Sequence, residues 1–258
     1  MTRVCVLGPS GRMGKMVLNC AAERSDATIV SALDRPDSDA IGTEVAPSVV
    51  VTADPVQALA DASVYIDFTT PASTTALAKA ALVSKTAAVI GTTGLSKQDQ
   101  EVLDQLATVA PVLVAANFSL GVNLLIGLAE TAARALPGYD LEVVELHHRR
   151  KRDSPSGTAI AVAQALAKGR GVDYDKSKLY SREGDVGPRT DDEIGVVAVR
   201  GGDIIGEHTA YLIGEMERIE LTHRAGSRAI FADGALTAAI WLAKQAPGHY
   251  TMRDVLGL

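Results

Sequence analysis

Six short apolar runs, at residues 3–7, 28–33, 49–51, 64–68, 87–90 and 112–115, alternate with stretches of helical spacing at 13–24, 71–82 and 96–107. This alternation constrains the fold more than any other feature of the chain. Near-continuous apolar strands cannot present a polar face to water, so both faces of their sheet must be covered, and the intervening helices supply the cover. The spacing predicts an α/β arrangement: a parallel sheet between two layers of helices.

Beyond Leu120 the pattern changes. A helix is expected over 120–136, a strand over 141–147, and a second helix over 156–168 after a charged loop. Residues 169–192 are polar and contain Gly184, Gly187 and Pro188, which reads as a mobile connection. The β-like runs at 195–199, 207–213 and 218–222, with glycines between them, suit a mainly antiparallel sheet. A helix over 227–245 and a short tail end the chain. Its 258 residues leave room for two domains.

Hydrophobic residues make up 47%, enough for full cores, but aromatics are few: 3 Phe, 1 Trp and 6 Tyr. Cores built from Ala, Val, Leu and Ile, together with a formal net charge of −6, argue against a nucleic-acid partner. Such a partner calls for cations against phosphate and aromatic faces against bases. Cys5 and Cys20 both lie in apolar stretches and read as two buried thiols in a reducing, cytoplasmic compartment. The N-terminal apolar run is too short for a signal peptide. Residues 105–129 carry no charge and are long enough to span a bilayer. Gln105, Thr108, Pro111, Asn117, Ser119, Gly121 and Asn123 interrupt them, however. The stretch reads as a helix end, a buried strand, a polar loop and a new helix, with no membrane involved.

Between the first strand and the first helix lies Gly8-Pro9-Ser10-Gly11-Arg12-Met13-Gly14. Small residues there let the backbone approach a pyrophosphate, and the N–H groups and dipole of the helix start favour its charge. The second strand ends in Asp34, where a Rossmann fold places the acid that binds the adenosine ribose. Arg12 or Arg35 could meet a 2′-phosphate, so both NADH and NADPH stay open. Gly91-Thr92-Thr93-Gly94 and Ala115-Ala116-Asn117-Phe118-Ser119 fall at further strand ends and suit the nicotinamide half.

The densest chemistry runs from Glu145 to Thr158: ELHHRRKRDSPSGT. His147 and His148 are adjacent at a strand end, so they point to opposite faces and make a poor chelating pair; no metal is expected. Ser156-Gly157-Thr158 opens an apolar-periodic helix, whose first N–H groups and hydroxyls suit a carboxylate. A strand-end His, a Lys four residues on and an anion-binding helix start point to an acidic small substrate.

At these residues the chain resembles the dihydrodipicolinate reductases, also called 4-hydroxy-tetrahydrodipicolinate reductases. The resemblance is carried by Gly8 to Gly14, Ile66-Asp67-Phe68-Thr69, Gly91 to Gly94, Ala116 to Ser119 and His147 to Thr158. It continues in Arg200-Gly201-Gly202-Asp203, Gly206-Glu207-His208-Thr209 and Met252 to Leu256. It implies a Rossmann-type dinucleotide-binding domain over 1–118 and 228–258. An α+β substrate-binding and oligomerisation domain would occupy 119–227, in a homotetramer. It also implies NAD(P)H-dependent reduction to tetrahydrodipicolinate in the diaminopimelate route to lysine, with a dicarboxylate substrate.

By the same resemblance His147 is a proton donor/acceptor and Lys151 a proton donor. His148, Gly157 and Thr158 contact substrate, joined by Ser156 at the helix start that would take a carboxylate. The cofactor falls on Gly8, Pro9, Ser10, Gly11, Arg12, Met13, Asp34, Arg35, Gly91, Thr92, Thr93, Ala115, Ala116, Asn117 and Phe118. Two other readings stay open on the residues alone. A Rossmann oxidoreductase for another amino or sugar acid would share the glycine loop without needing the HHxxK…SGT segment. A catalytically silent NAD(P)H sensor would not need His147 and Lys151.

Overall fold

The computed structural model describes residues 1–258, which form two compact units: Met1–Leu120 with Ala229–Leu258, and Gly121–Arg228.

The first unit begins β1 (Thr2–Leu7), α1 (Arg12–Ala22), β2 (Ala27–Leu33), β3 (Glu44–Ala46), β4 (Val49–Thr52) and α2 (Pro55–Leu59). It continues β5 (Val64–Asp67), α3 (Pro71–Ser84), β6 (Ala87–Ile90), α4 (Lys97–Ala107) and β7 (Pro111–Val114). Eight strands pair in the order β13-β7-β6-β5-β1-β2-β4-β3, where β13 is Gly248–Tyr250 near the chain end. All pairs are parallel except β3–β4.

Period-two alternation divides the buried side chains between two cores. Val4, Val6, Ile66 and Val89 face one core, which also takes Val17 of α1 and Ala235, Leu236 and Leu242 of a late helix (Ala229–Leu242). Cys5, Leu7, Tyr65 and Ile90 face the other, packed by Leu77 and Ala81 of α3 and Leu103 and Leu106 of α4. Helix starts are set by local chemistry. Thr70 caps α3 with Pro71 at its first position, and Ser96 and Asp99 close a reciprocal capping box on α4.

The second unit contains α5 (Leu120–Ala135), β8 (Asp140–His147), α6 (Gly157–Arg170), α7 (Tyr174–Ser177), β9 (Lys178–Leu179), β10 (Ile194–Arg200), β11 (Glu207–Ile213) and β12 (Arg218–Arg224). Its five strands run β12-β11-β8-β10-β9. Leu141, Val143, Ile194, Val196, Ala210 and Leu212 form the inner face, packed by Leu125 and Ala129 of α5 and Val162 and Leu166 of α6. The late helix of the first unit is α8 (Ala229–Leu242), and α9 (Met252–Leu256) ends the chain.

Several expectations need correction. The second sheet is mixed: β8–β11 and β11–β12 are antiparallel, but β10 runs parallel to both β8 and β9. The reason is that α6 carries the chain back along the sheet before β10 begins, so β8 and β10 are joined by a crossover. The connection at 169–192 holds α7 and β9, pinned by ion pairs from Arg182 and Arg189 to Glu142 and Glu193. The tail forms β13 and α9. Cys5 is buried, but Cys20 is only half-buried on α1. Across 105–129 lie the end of α4, β7, a loop and the start of α5, and no helix is long and apolar enough to cross a membrane.

Candidate active site

In the first unit the loop after β1 is held tight by its own backbone. Gly8 has φ +67°, and Gly11 N–H donates to Gly8 O at 3.0 Å. A Cβ on Gly14 would lie 2.1 Å from Gly8 O and 2.8 Å from Pro9 Cα, so the strand–helix approach excludes any side chain there. No side chain caps the start of α1 and no acid sits in its first turn, which leaves its N–H groups and dipole for an anion. Ser10 Oγ donates to Asp34 Oδ2 at 2.6 Å, tying the loop to the end of β2.

Beside Asp34 and Arg35 lies a cavity of about 280 Å³, walled by Leu33, Pro36, Ala53, Ala72 and Ala76. Arg12 and Arg35 are both exposed, and Arg35 pairs with Asp37 at 3.2 Å. A bare glycine cradle, a strand-end carboxylate and an adjoining mostly apolar cavity together fit a dinucleotide.

Buried Asp67, at the end of β5, ties the neighbouring strand ends together. It accepts from Thr69 N–H (2.9 Å), Thr69 Oγ1 (2.6 Å), Thr74 Oγ1 (2.5 Å) and Thr92 Oγ1 (3.1 Å). Burial raises its pKa against those four donors. Thr92 is thus turned inward, while Thr93 is exposed. The Phe118 ring packs edge-on against Phe68 in the core at 5.4 Å, so only its backbone can reach a ligand. Ala115 and Asn117 are half-buried and Ala116 is exposed.

In the second unit β8 places Leu141, Val143, Glu145 and His147 on its buried face. His147 Nδ1 lies 2.5 Å from Glu145 Oε2. Arg200, the parallel partner of His147 on β10, grips both Glu145 oxygens at 2.8 Å. Ser156 N–H donates to Glu145 Oε1 at 2.9 Å, and Ser156 Oγ caps α6 by accepting from Ala159 N–H at 3.1 Å. Burial pushes the Glu145 pKa up, but Arg200, His147 and Ser156 together bring it below the usual value. Burial lowers that of His147; Glu145 opposes the fall, and the charges of Lys151 and Arg200 add to it.

Lys151 pairs with Asp153 at 2.9 Å, within a loop folded back by a Lys151 N–H to His148 O bond. His148 is half-buried, with Nε2 3.5 Å from Arg228 Nη2. Gly157 is exposed and Thr158 half-buried at the start of α6. No group of three or more His, Cys, Asp or Glu side chains is arranged to hold a metal ion.

Two family models match this chain: the dihydrodipicolinate reductase N-terminus over residues 2–118 and the C-terminus over 121–256. The chain belongs to the dihydrodipicolinate reductase family. A 4-hydroxy-tetrahydrodipicolinate reductase of Alkalilimnicola ehrlichii is 46% identical, covering 100% of this chain and 99% of that one. A reductase of the same name from Thiobacillus denitrificans is also 46% identical, over 99% and 98%. Among solved structures, a dipicolinate-bound dihydrodipicolinate reductase from Paenisporosarcina sp. TG-14 matches with a TM-score of 0.81 and 27% identity over 98% of each chain.

In this dihydrodipicolinate reductase fold, His147, Lys151 and Ser156 gather at one strand end, and the glycine loop, Asp34 and Arg35 gather at another. Sequence reasoning gave no role to Glu145, Arg200, His208 or Asp67. Glu145 had a signal, since it stands two residues before His147 and a strand puts both on one face.

His208, opposite Glu145 on β11, lies 3.1 Å by Nε2 from Ser156 Oγ and stacks edge-on against His147 at 5.2 Å. Its Nδ1 is buried without a partner, so charging the ring would leave a donor unsatisfied. Burial and the neighbouring His147 lower its pKa from 6.5 to about 4. The unfolded chain therefore binds this proton more readily. Stability is expected to fall as pH drops from about 6.5 towards 4, by up to about 3 kcal/mol. Urea unfolding of wild type and His208→Gln across this range checks it: the variant should lose that part of the slope, and an unchanged slope would contradict the assignment.

Proposed function

We propose that this chain reduces 4-hydroxy-tetrahydrodipicolinate, or its dehydrated form dihydrodipicolinate, to tetrahydrodipicolinate with NADPH or NADH, in the diaminopimelate route to lysine. The observation that carries this reading is the strand-end cluster of His147, Lys151 and the Ser156-capped start of α6. There a proton carrier and cations stand beside a helix start, as a dicarboxylate that gains a hydride and a proton requires.

The first unit is assigned to the cofactor. Gly8, Pro9, Ser10, Gly11, Arg12 and Met13 would take the pyrophosphate and Asp34 the ribose. Arg35 would take a 2′-phosphate when present, and Gly91 to Thr93 with Ala115 to Phe118 would take the nicotinamide end. When bound, the reduced nicotinamide supplies the hydride. The second unit is assigned to substrate. Lys151, His148, Gly157, Thr158 and Ser156 would hold the two carboxylates through cations, N–H groups and hydroxyls. Hydride addition to a conjugated C=C–C=N system leaves negative charge on the ring, and Lys151 and His147 deliver the proton that neutralises it. Water lost from the hydroxylated form precedes this step.

The outer face of the second sheet bears Val197 and Val199, 39% and 43% exposed, beside Val144 and Tyr211. That apolar patch, bordered by the Glu142–Arg182 ion pair, supports assembly into a homotetramer; a monomer by light scattering at assay concentration would remove this assignment. The free thiols Cys5 and Cys20 fit a cytoplasmic setting.

Replacing Lys151 by Ala is expected to lower kcat by about 10²-fold or more while NAD(P)H affinity survives. The assay follows nicotinamide oxidation with substrate made fresh from pyruvate and aspartate semialdehyde by the preceding synthase. Unchanged turnover would take Lys151 out of the mechanism.

A further inference from the structure

Glu145 is fully buried, yet its carboxylate makes four hydrogen bonds to three residues. Oε2 meets His147 Nδ1 and Arg200 Nη1, and Oε1 meets Ser156 N–H and Arg200 Nη2. Arg200 also donates to the Asp153 carbonyl at 2.9 Å, in the loop that carries Lys151. A buried ion pair is a poor way to gain stability, because desolvation cancels most of the attraction and apolar side chains of equal volume do as well. What this pair gains is geometric. With both oxygens engaged, the carboxylate has one orientation, and it offers His147 an acceptor at Nδ1 only.

We propose that Glu145, neutralised by Arg200, is a positioning residue for His147. It fixes the imidazole as the Nδ1–H tautomer and leaves Nε2 as the proton-carrying atom. Nε2 faces position 206, where a Cβ would stand only 2.9 Å away, so Gly206 keeps that side of the ring open. The groups around the ring are the cations Lys151 and Arg200, the neutral His208 and the anion Glu145. Both cations oppose a proton on His147, and Glu145 offsets them. The inference rests on His147 moving a proton as proposed above.

Steady-state kinetics of wild type, Glu145→Gln, His147→Asn and the double variant test it, with the same freshly made substrate. Glu145→Gln should lower kcat by about 10²-fold or more with KM changed by less than about threefold. The limb of the pH profile that His147 sets should move to lower pH. In the His147→Asn background the Glu145 change should cost nothing further.

If His147→Asn is impaired but Glu145→Gln keeps wild-type kcat and pH profile, the positioning role is overturned alone. A full additional loss in the double variant overturns it too. If His147→Asn turns over like wild type, the proton role of His147 falls first. Removing one partner of a buried pair can unfold a protein, so ¹⁵N-histidine NMR of the intact wild-type chain gives an independent reading. Neutral His147 should carry a slowly exchanging proton on Nδ1 and none on Nε2; the opposite tautomer would overturn the proposal.

Discussion

A carboxylate shut off from water must be satisfied by its surroundings, and at Glu145 that demand organises the end of the second sheet. Its four hydrogen bonds come from three residues: His147 on the same strand, Arg200 on a neighbouring one, which makes two, and the N–H of Ser156 ahead of α6. Loss of any one would leave a buried charge short of a hydrogen bond, which costs more than the bond itself contributes. The register of β8 with β10, the path of the charged loop and the start of α6 are thereby coupled. Ser156 then passes the constraint on through its hydroxyl, which caps α6 and meets His208.

The first unit solves a different problem with different means. There the backbone makes the candidate site: glycines at 8, 11 and 14 bring strand and helix so close that no side chain fits at position 14. The side chains that matter lie one layer away. Asp67 gathers three threonines from three segments and so ties together the ends of β5 and β6 and the start of α3. Recognition by bare N–H groups needs no particular side chain, only a backbone held in place. The charged cluster of the second unit, by contrast, is built from named groups at fixed distances, as the proposed proton transfer would require.

The legible parts of this structure were those governed by local pattern. Strands such as 87–90 and 207–213 could be read to the residue: Gly91 ends the first, an apolar run, and Gly206 and Gly214 bracket the second. Ser156 announced its helix through capping chemistry, while the helix at 96–107 was legible from its spacing and the structure adds the Ser96 cap. What escaped was set by partners distant in sequence. The parallel placement of β10 depends on a crossover that strand patterning does not encode. Arg200 becomes a neighbour of His147 only through that pairing. Glu145 lay in view, but the alternation in LEVVELH does not say which of its two faces is buried. β13 is three residues long and finds its identity only by pairing at the sheet edge beside β7.

The reaction requires this chain to move a hydride to an unsaturated dicarboxylate ring and then to protonate it. The most direct measurement uses nicotinamide cofactor deuterated at the transferable C4 position, with freshly generated substrate, and follows the product by mass spectrometry. Deuterium should appear in tetrahydrodipicolinate at one carbon, with the second hydrogen drawn from solvent. Retention of the label in the nicotinamide, with cofactor demonstrably bound, would contradict the account and leave a dinucleotide-binding protein that does not reduce this substrate.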